Sequence, residues 1–156
     1  MAIVAGVTDL QERLVGSWRL ASWDWHDASG AVSSPLGDDP AGLLMYDAAG
    51  TVSAQLMRRN QPQFRDDDWR NATDEEKAAA WSGYFGYFGT YTVDEATGTI
   101  THQIDGSWFP NLVGTEQVRR YSLDGNRLTL HAETLWGYVS IVWEKVTVLR
   151  DARGSV

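Results

Sequence analysis

The sequence predicts an all-β fold, a single eight-stranded antiparallel up-and-down barrel with a short N-terminal helix and a second helix near 74–83. Three observations carry that expectation. Hydrophobic residues make up 43% of the 156-residue chain, which holds 8 Trp and 15 Gly, a composition that suits one aromatic-rich β domain with a real core. Short segments of alternating apolar and polar residues recur between clusters of turn-forming residues. These segments can be paired as successive hairpins without any residue being forced from one face to the other.

Thr8-Asp9-Leu10-Gln11 fits a capping box, and Leu10 and Leu14 lie one turn apart, so residues 9–15 read as a helix that Gly16 ends. Ser17 to Trp25 alternates, with Trp18, Leu20 and Ser22 on one face and Arg19, Ala21 and Trp23 on the other. Residues 26–41 carry Gly30, Pro35, Gly37 and Pro40, a long loop. Gly42 to Tyr46 and Thr51 to Met57 are strands around Asp47-Ala48-Ala49-Gly50. Their apolar face (Leu44, Tyr46, Val52, Ala54, Leu56) turns Tyr46, rather than Gln55, inward.

The segment from Arg58 to Asn71 is polar and irregular. Thr73-Asp74-Glu75-Glu76 is a second capping box, and Lys77 to Trp81 is strong helix-forming sequence that should fade at Gly83. Five strands follow, at 86–93, 99–107, 115–123, 126–133 and 138–148. If the first strand runs upward, the long connections 26–41, 58–85, 108–114 and 134–137 all fall at the top. The tight turns at 47–50, 94–98 and 124–125 fall at the bottom. That asymmetry describes a closed barrel with an open mouth, and it makes the helix of the 58–85 segment a lid over it.

Parity also nominates a polar cluster. Pairing Val93 with Ile100 sets Tyr91 opposite His102, and pairing Ile100 with Leu123 sets His102 opposite Tyr121 and Ile104 opposite Arg119. A two-residue Asp124-Gly125 turn then pairs Leu123 with Asn126, and pairing Leu130 with Ile141 places Leu128 beside Trp143. His102, Arg119, Tyr91 and Tyr121 are therefore the candidate catalytic residues. A neutral imidazole can move a proton near neutral pH, phenols can donate hydrogen bonds, and a guanidinium can hold a carboxylate or enolate. The same four residues could equally anchor the polar end of an apolar ligand, or form a buried network whose members satisfy one another. The expected ligand-binding set is Tyr46, Tyr84, Tyr87, Ile104, Trp108, Trp136 and Tyr138, with Trp81, Phe85 and Phe109 as further rim aromatics.

Other chemistries find no support. A net charge of −8 argues against nucleic acid and against an anionic membrane surface. With no cysteine, disulfides and thiolate chemistry are excluded. The three histidines, His26, His102 and His131, do not converge, so no metal is expected; a haem barrel would need just one axial histidine, but nothing else points to one. Asp66-Asp67-Asp68 and Asp74-Glu75-Glu76 read as solvated surface and a helix N-terminus. No phosphate loop or nucleophile elbow is present. No run of residues approaches the length of a membrane span, and Met1 to Val7 lacks the features of a signal peptide, so a cytoplasmic location is expected.

One family is similar across residues 8–149. Gly16-Ser17-Trp18 after a short helix resembles the lipocalin signature. Gly16-Ser17-Trp18-Arg19-Leu20, Pro35-Leu36-Gly37, Pro40 to Tyr46 and Tyr87-Phe88-Gly89-Thr90-Tyr91 together resemble the bacterial and fungal lipocalin-like domain proteins. So do Thr101-His102, Pro110-Asn111, Gly114 to Arg119 and Val142-Trp143-Glu144-Lys145. The resemblance implies a calycin-type barrel whose closed end is plugged by Trp18 under a cation, Lys145 or Arg150. It implies a small-molecule cavity and no single reaction. Several members resemble accessory proteins of secondary-metabolite pathways, which brings in isomerase or cyclase activity by acid–base catalysis. The expectation is thus a one-domain protein over 8–149, with 1–7 and 150–156 as flexible termini. It binds a small, largely apolar organic molecule without a cofactor, and a homodimer is left open. The alternative is a non-catalytic interaction protein with a filled barrel.

Overall fold

Antiparallel pairing of consecutive strands carries the chain around until its last strand meets its first. The computed structural model describes residues 8–147, and the expected flexible termini and Arg150 lie outside them. The strands are β1 (Gly16–Asp27), β2 (Val32–Ser33), β3 (Ala41–Tyr46), β4 (Thr51–Met57), β5 (Tyr84–Asp94), β6 (Thr99–Ser107), β7 (Glu116–Asp124), β8 (Arg127–Thr134) and β9 (Gly137–Lys145), with helices α1 (Asp9–Leu14) and α2 (Asp74–Ser82). Each strand from β3 to β9 hydrogen-bonds to the next, β3 pairs with β1, and β9 returns to β1, which closes an eight-stranded barrel. The short β2 lies outside that circuit, against Trp25 and His26.

The lower end is plugged as the family pattern implies. The Trp18 indole N–H donates to the Leu14 carbonyl at 2.8 Å, which satisfies one of the orphan acceptors at the end of α1. Lys145 Nζ lies 4.5 Å from the Trp18 ring and donates to the carbonyls of Arg13 and Val15. One ammonium thus caps a helix C-terminus and covers the aromatic face beneath it. Both helices start as their sequences dictate. Thr8 accepts from the Gln11 amide, and Thr73 and Glu76 form a reciprocal capping box.

Two irregularities change which residues face inward. Leu20 pairs with Trp143, but Ser22 pairs with Val142, so Ala21 bulges out of β1. Beyond the bulge the alternation is inverted, and Trp23 turns inward opposite Ile141, against the simple parity of the sequence. A second bulge at Asp105 lies between the Phe88–Gly106 and Gly89–Ile104 pairs.

The β6–β7 register also differs from expectation. Tyr91 does lie opposite His102, but His102 pairs with Gln117 and Ile100 with Arg119, a slip of four residues from the apolar pairing. The connection explains it. After Ile104 the chain leaves β7 and stays with β5, and Gly114 and Thr115 close the hairpin on Ile104 through backbone bonds of 2.8 and 3.0 Å. A slip of an even number leaves every side chain on its expected face, so Arg119 and Tyr121 still point inward at new heights. At the next turn Asp124 pairs with Arg127, which makes Gly125-Asn126 the turn residues. The pairings of Leu130 with Ile141 and Leu128 with Trp143 are as expected.

Candidate functional site

The inward faces of the upper strands do not fill the barrel. A cavity of about 340 Å³ opens above Leu44, Leu130 and Trp143. Its wall is mainly aromatic and aliphatic, made by Trp23, Phe85, Tyr87 and Trp108 together with Ala132, Val139 and Ile141. Trp23 reaches it through the Ala21 bulge and packs edge-on against Phe85, with ring centroids 4.7 Å apart. Phe85 in turn packs on Trp108 at 4.3 Å.

The polar groups of the wall are few. Arg119 and Gln117 enter from β7, and Tyr87 from β5, while Glu133 and Thr134 stand at the exposed end of β8. Arg119 makes no salt bridge among the described residues. Its guanidinium has only the Val118 carbonyl at 3.3 Å and the Gln117 side-chain oxygen at 3.4 Å. The indole N–H groups of Trp108 and Trp143 find no acceptor among the described residues.

Beneath the cavity lies a hydrogen-bonded chain of three rings. His102 is fully buried, and its two nitrogens bond to two phenols. Nε2 lies 2.7 Å from Tyr46 Oη and Nδ1 lies 2.8 Å from Tyr87 Oη. Burial, reinforced by the Arg119 charge, pushes the imidazole down to about 3, so the ring is neutral at any physiological pH. Burial also raises the phenols of Tyr46 and Tyr87.

Of the expected catalytic residues, Arg119 lines the cavity and His102 sits behind Tyr87, outside the wall. Tyr91 packs its ring on Tyr46 at 4.6 Å, yet its hydroxyl donates to the Asp47 carbonyl at the lower end. Tyr121 lies near the lower end because of the register slip, its amide on the Gly98 carbonyl, and packs against the core. Of the expected ligand-binding residues, Tyr87 and Trp108 line the cavity. Tyr46 and Ile104 are buried and line no part of it. Tyr84 faces outward and bonds to Gln55. Trp136 is exposed in the β8–β9 turn, and Tyr138 stacks on His26 at 4.3 Å. Helix α2 stands beside the rim. Its Trp81 packs on Trp108 at 5.4 Å, and none of its residues lines the cavity. Trp23 and Gln117 were missed from sequence. Gln117 was accessible, since it is in phase with Arg119; Trp23 was hidden by the bulge.

Residues 15–150 match the family model described as lipocalin-like domain. A curated relative, the 4'-hydroxy-3'-methoxypropiophenone carrier protein of Aspergillus oryzae, is 35% identical over 85 residues, which cover 51% of this chain and 77% of the relative. Among solved structures, a lipocalin-like protein from Bacteroides uniformis is 14% identical, with a TM-score of 0.46 over 85% of this chain and 98% of that one. Fatty-acid-binding protein 1 of Echinococcus granulosus is 12% identical, with a TM-score of 0.42 over 87% of this chain and 99% of that one. No helix among the described residues is long and apolar enough to cross a membrane. A barrel closed on itself, a tryptophan plug under Lys145 and a family match running from the first strand past the last make this chain a member of the lipocalin-like domain family.

Proposed function

We propose that this protein binds a compact, flat, largely apolar organic molecule in the upper half of its barrel, as a carrier or holding protein of secondary metabolism in the cytoplasm. The observation that carries the reading is the cavity of about 340 Å³, walled by aromatic rings around Arg119, a cation with no salt bridge among the described residues. Small-molecule sites commonly occupy about 300–1,000 Å³ and combine apolar walls with a few polar groups. The relative from Aspergillus oryzae is named as the carrier of an aryl ketone, a ligand class of the right shape for such walls.

Acid–base isomerisation or cyclisation is the alternative. The geometry favours binding over it, because His102 does not reach the cavity and holds no exchangeable charge near neutral pH. A filled barrel used only as an interaction surface has the cavity against it. The test is calorimetric titration with 4'-hydroxy-3'-methoxypropiophenone, alongside native mass spectrometry of protein purified from its own host. Saturable one-to-one binding with a negative heat-capacity change is expected. No heat with the ketone and no co-purifying small molecule would overturn the reading.

A further inference from the structure

The chain of three rings under the cavity has only one arrangement of protons that leaves no buried donor stranded. Tyr46 is 2% exposed, and His102 Nε2 is the only partner of its hydroxyl among the described residues. If Nε2 carried the proton and donated to Tyr46, the Tyr46 O–H would be left in the core with no acceptor. A buried donor without a partner costs more than an under-used acceptor lone pair, and orphaned donors are correspondingly rarer. Tyr46 therefore donates to Nε2. A neutral imidazole with Nε2 as acceptor carries its proton on Nδ1, and Nδ1–H then donates to the Tyr87 oxygen. The Tyr87 hydroxyl proton is left over. Tyr87 lines the cavity, so that proton is available to whatever binds there.

The rest of the wall has the same polarity. Arg119 offers only donors, and the indole nitrogens of Trp108 and Trp143 are buried. The Gln117 oxygen faces Arg119, and its amide group is engaged by Thr115. The acceptors Glu133 and Thr134 stand at the exposed end. We infer that Tyr46 fixes His102 as the Nδ1–H tautomer, so that Tyr87 presents a hydrogen-bond donor and, with Arg119, selects molecules whose buried end is a carbonyl-type acceptor oxygen. Tyr46 and His102 are positioning residues in this scheme, and Tyr87 and Arg119 touch the ligand. The inference rests on the binding proposed above and goes further, since it assigns the ligand's functional group and the hydrogen-bond direction at each ring.

Two measurements test it. The first is a long-range proton–nitrogen NMR correlation on ¹⁵N-histidine-labelled protein carrying His26→Asn and His131→Asn, which leaves His102 as the one labelled ring. A pyrrole-type Nδ1 and a pyridine-type Nε2 are expected; the reverse pattern overturns the tautomer. The second compares the aryl ketone probe with its counterpart bearing CH₂ in place of the carbonyl. Tyr87→Phe should weaken the ketone roughly tenfold, as loss of one hydrogen bond would, and leave the CH₂ compound unchanged. Tyr46→Phe removes the donor to Nε2, so the tautomer is no longer forced, and the preference for the ketone over the CH₂ compound should shrink although the Tyr87 hydroxyl is untouched. Equal weakening of both compounds overturns the inference. If wild-type protein binds the two equally, binding stands and the selection falls; if it binds neither, the selection falls, and the binding falls with it when no small molecule co-purifies. The tautomer measurement keeps Tyr46 intact, so a Tyr46→Phe protein that fails to fold does not shield the inference.

Discussion

His102 is neutral because the fold removes it from water, and that has a measurable consequence. Its folded-state value of about 3 lies well below the 6.5 of an unperturbed imidazole. Between these values the unfolded chain holds one more proton than the folded chain, so stability rises with pH through the window and is lost as pH falls below about 6.5. One proton corresponds to about 1.4 kcal/mol per pH unit. The groups facing the ring are the phenols of Tyr46 and Tyr87, which burial pushes above their ordinary range, and the Arg119 guanidinium. The carboxylates held low by local hydrogen bonds, Asp27, Asp66, Asp68 and Glu76, add their own acid sensitivity only near and below pH 4. Urea unfolding between about pH 7.5 and 5 should therefore show wild-type protein losing up to about 2 kcal/mol more than His102→Gln. Parallel slopes for the two proteins would mean that the ring is protonated in the native state.

At the scale of strands, the bulge at Asp105 draws β5 and β6 together more tightly than a side chain allows. A Cβ on Gly89 would stand 1.7 Å from the Gln103 carbonyl oxygen, whereas a Cβ on Gly106 would meet the Phe88 ring at 2.4 Å. Phe88 is an exposed side chain and can swing aside; the Gln103 backbone is held in the ladder. Gly89→Ala should cost about 2–3 kcal/mol and Gly106→Ala clearly less, an order that thermal melts would reverse if the bulge were pliable. The same irregularities mark where sequence reading stops. Loop lengths identified the open end, and alternation identified the barrel strands and the inward histidine, because period two survives any even slip; that is why Arg119 kept its face when the β6–β7 pairing moved by four. It could not locate the bulged Ala21, since an extra residue leaves no local signature, so Trp23 was assigned to the wrong face. Nor could it set heights along the axis, which placed Tyr121 beside His102 when Tyr46 and Tyr87 are the residues that bond it.

Over the whole molecule, the barrel divides into a packed lower half and a hollow upper half, with the Tyr46–His102–Tyr87 chain between them. Below it, Trp18 and Leu14 are almost completely buried, and Lys145 seals the end. Above it, the aromatic rings together with Ala132, Val139 and Ile141 surround an open volume. A protein selected for stability alone would have closed that space, since filling a cavity commonly adds about 0.5–2 kcal/mol. Ala132 is the place to test this. It is buried on β8 and faces the cavity, so Ala132→Leu adds three carbons where there is room for them. Stability should hold or rise by about 1 kcal/mol in urea unfolding, while affinity for the aryl ketone falls at least tenfold, a loss of about 1.4 kcal/mol. The opposite pairing of signs is what distinguishes a ligand site from a packing fault, because damage to the fold would lower both quantities. If Ala132→Leu raised stability and left affinity intact, the ligand would have to lie elsewhere, with the cleft between α2 and residues 61–64 as the next place to look.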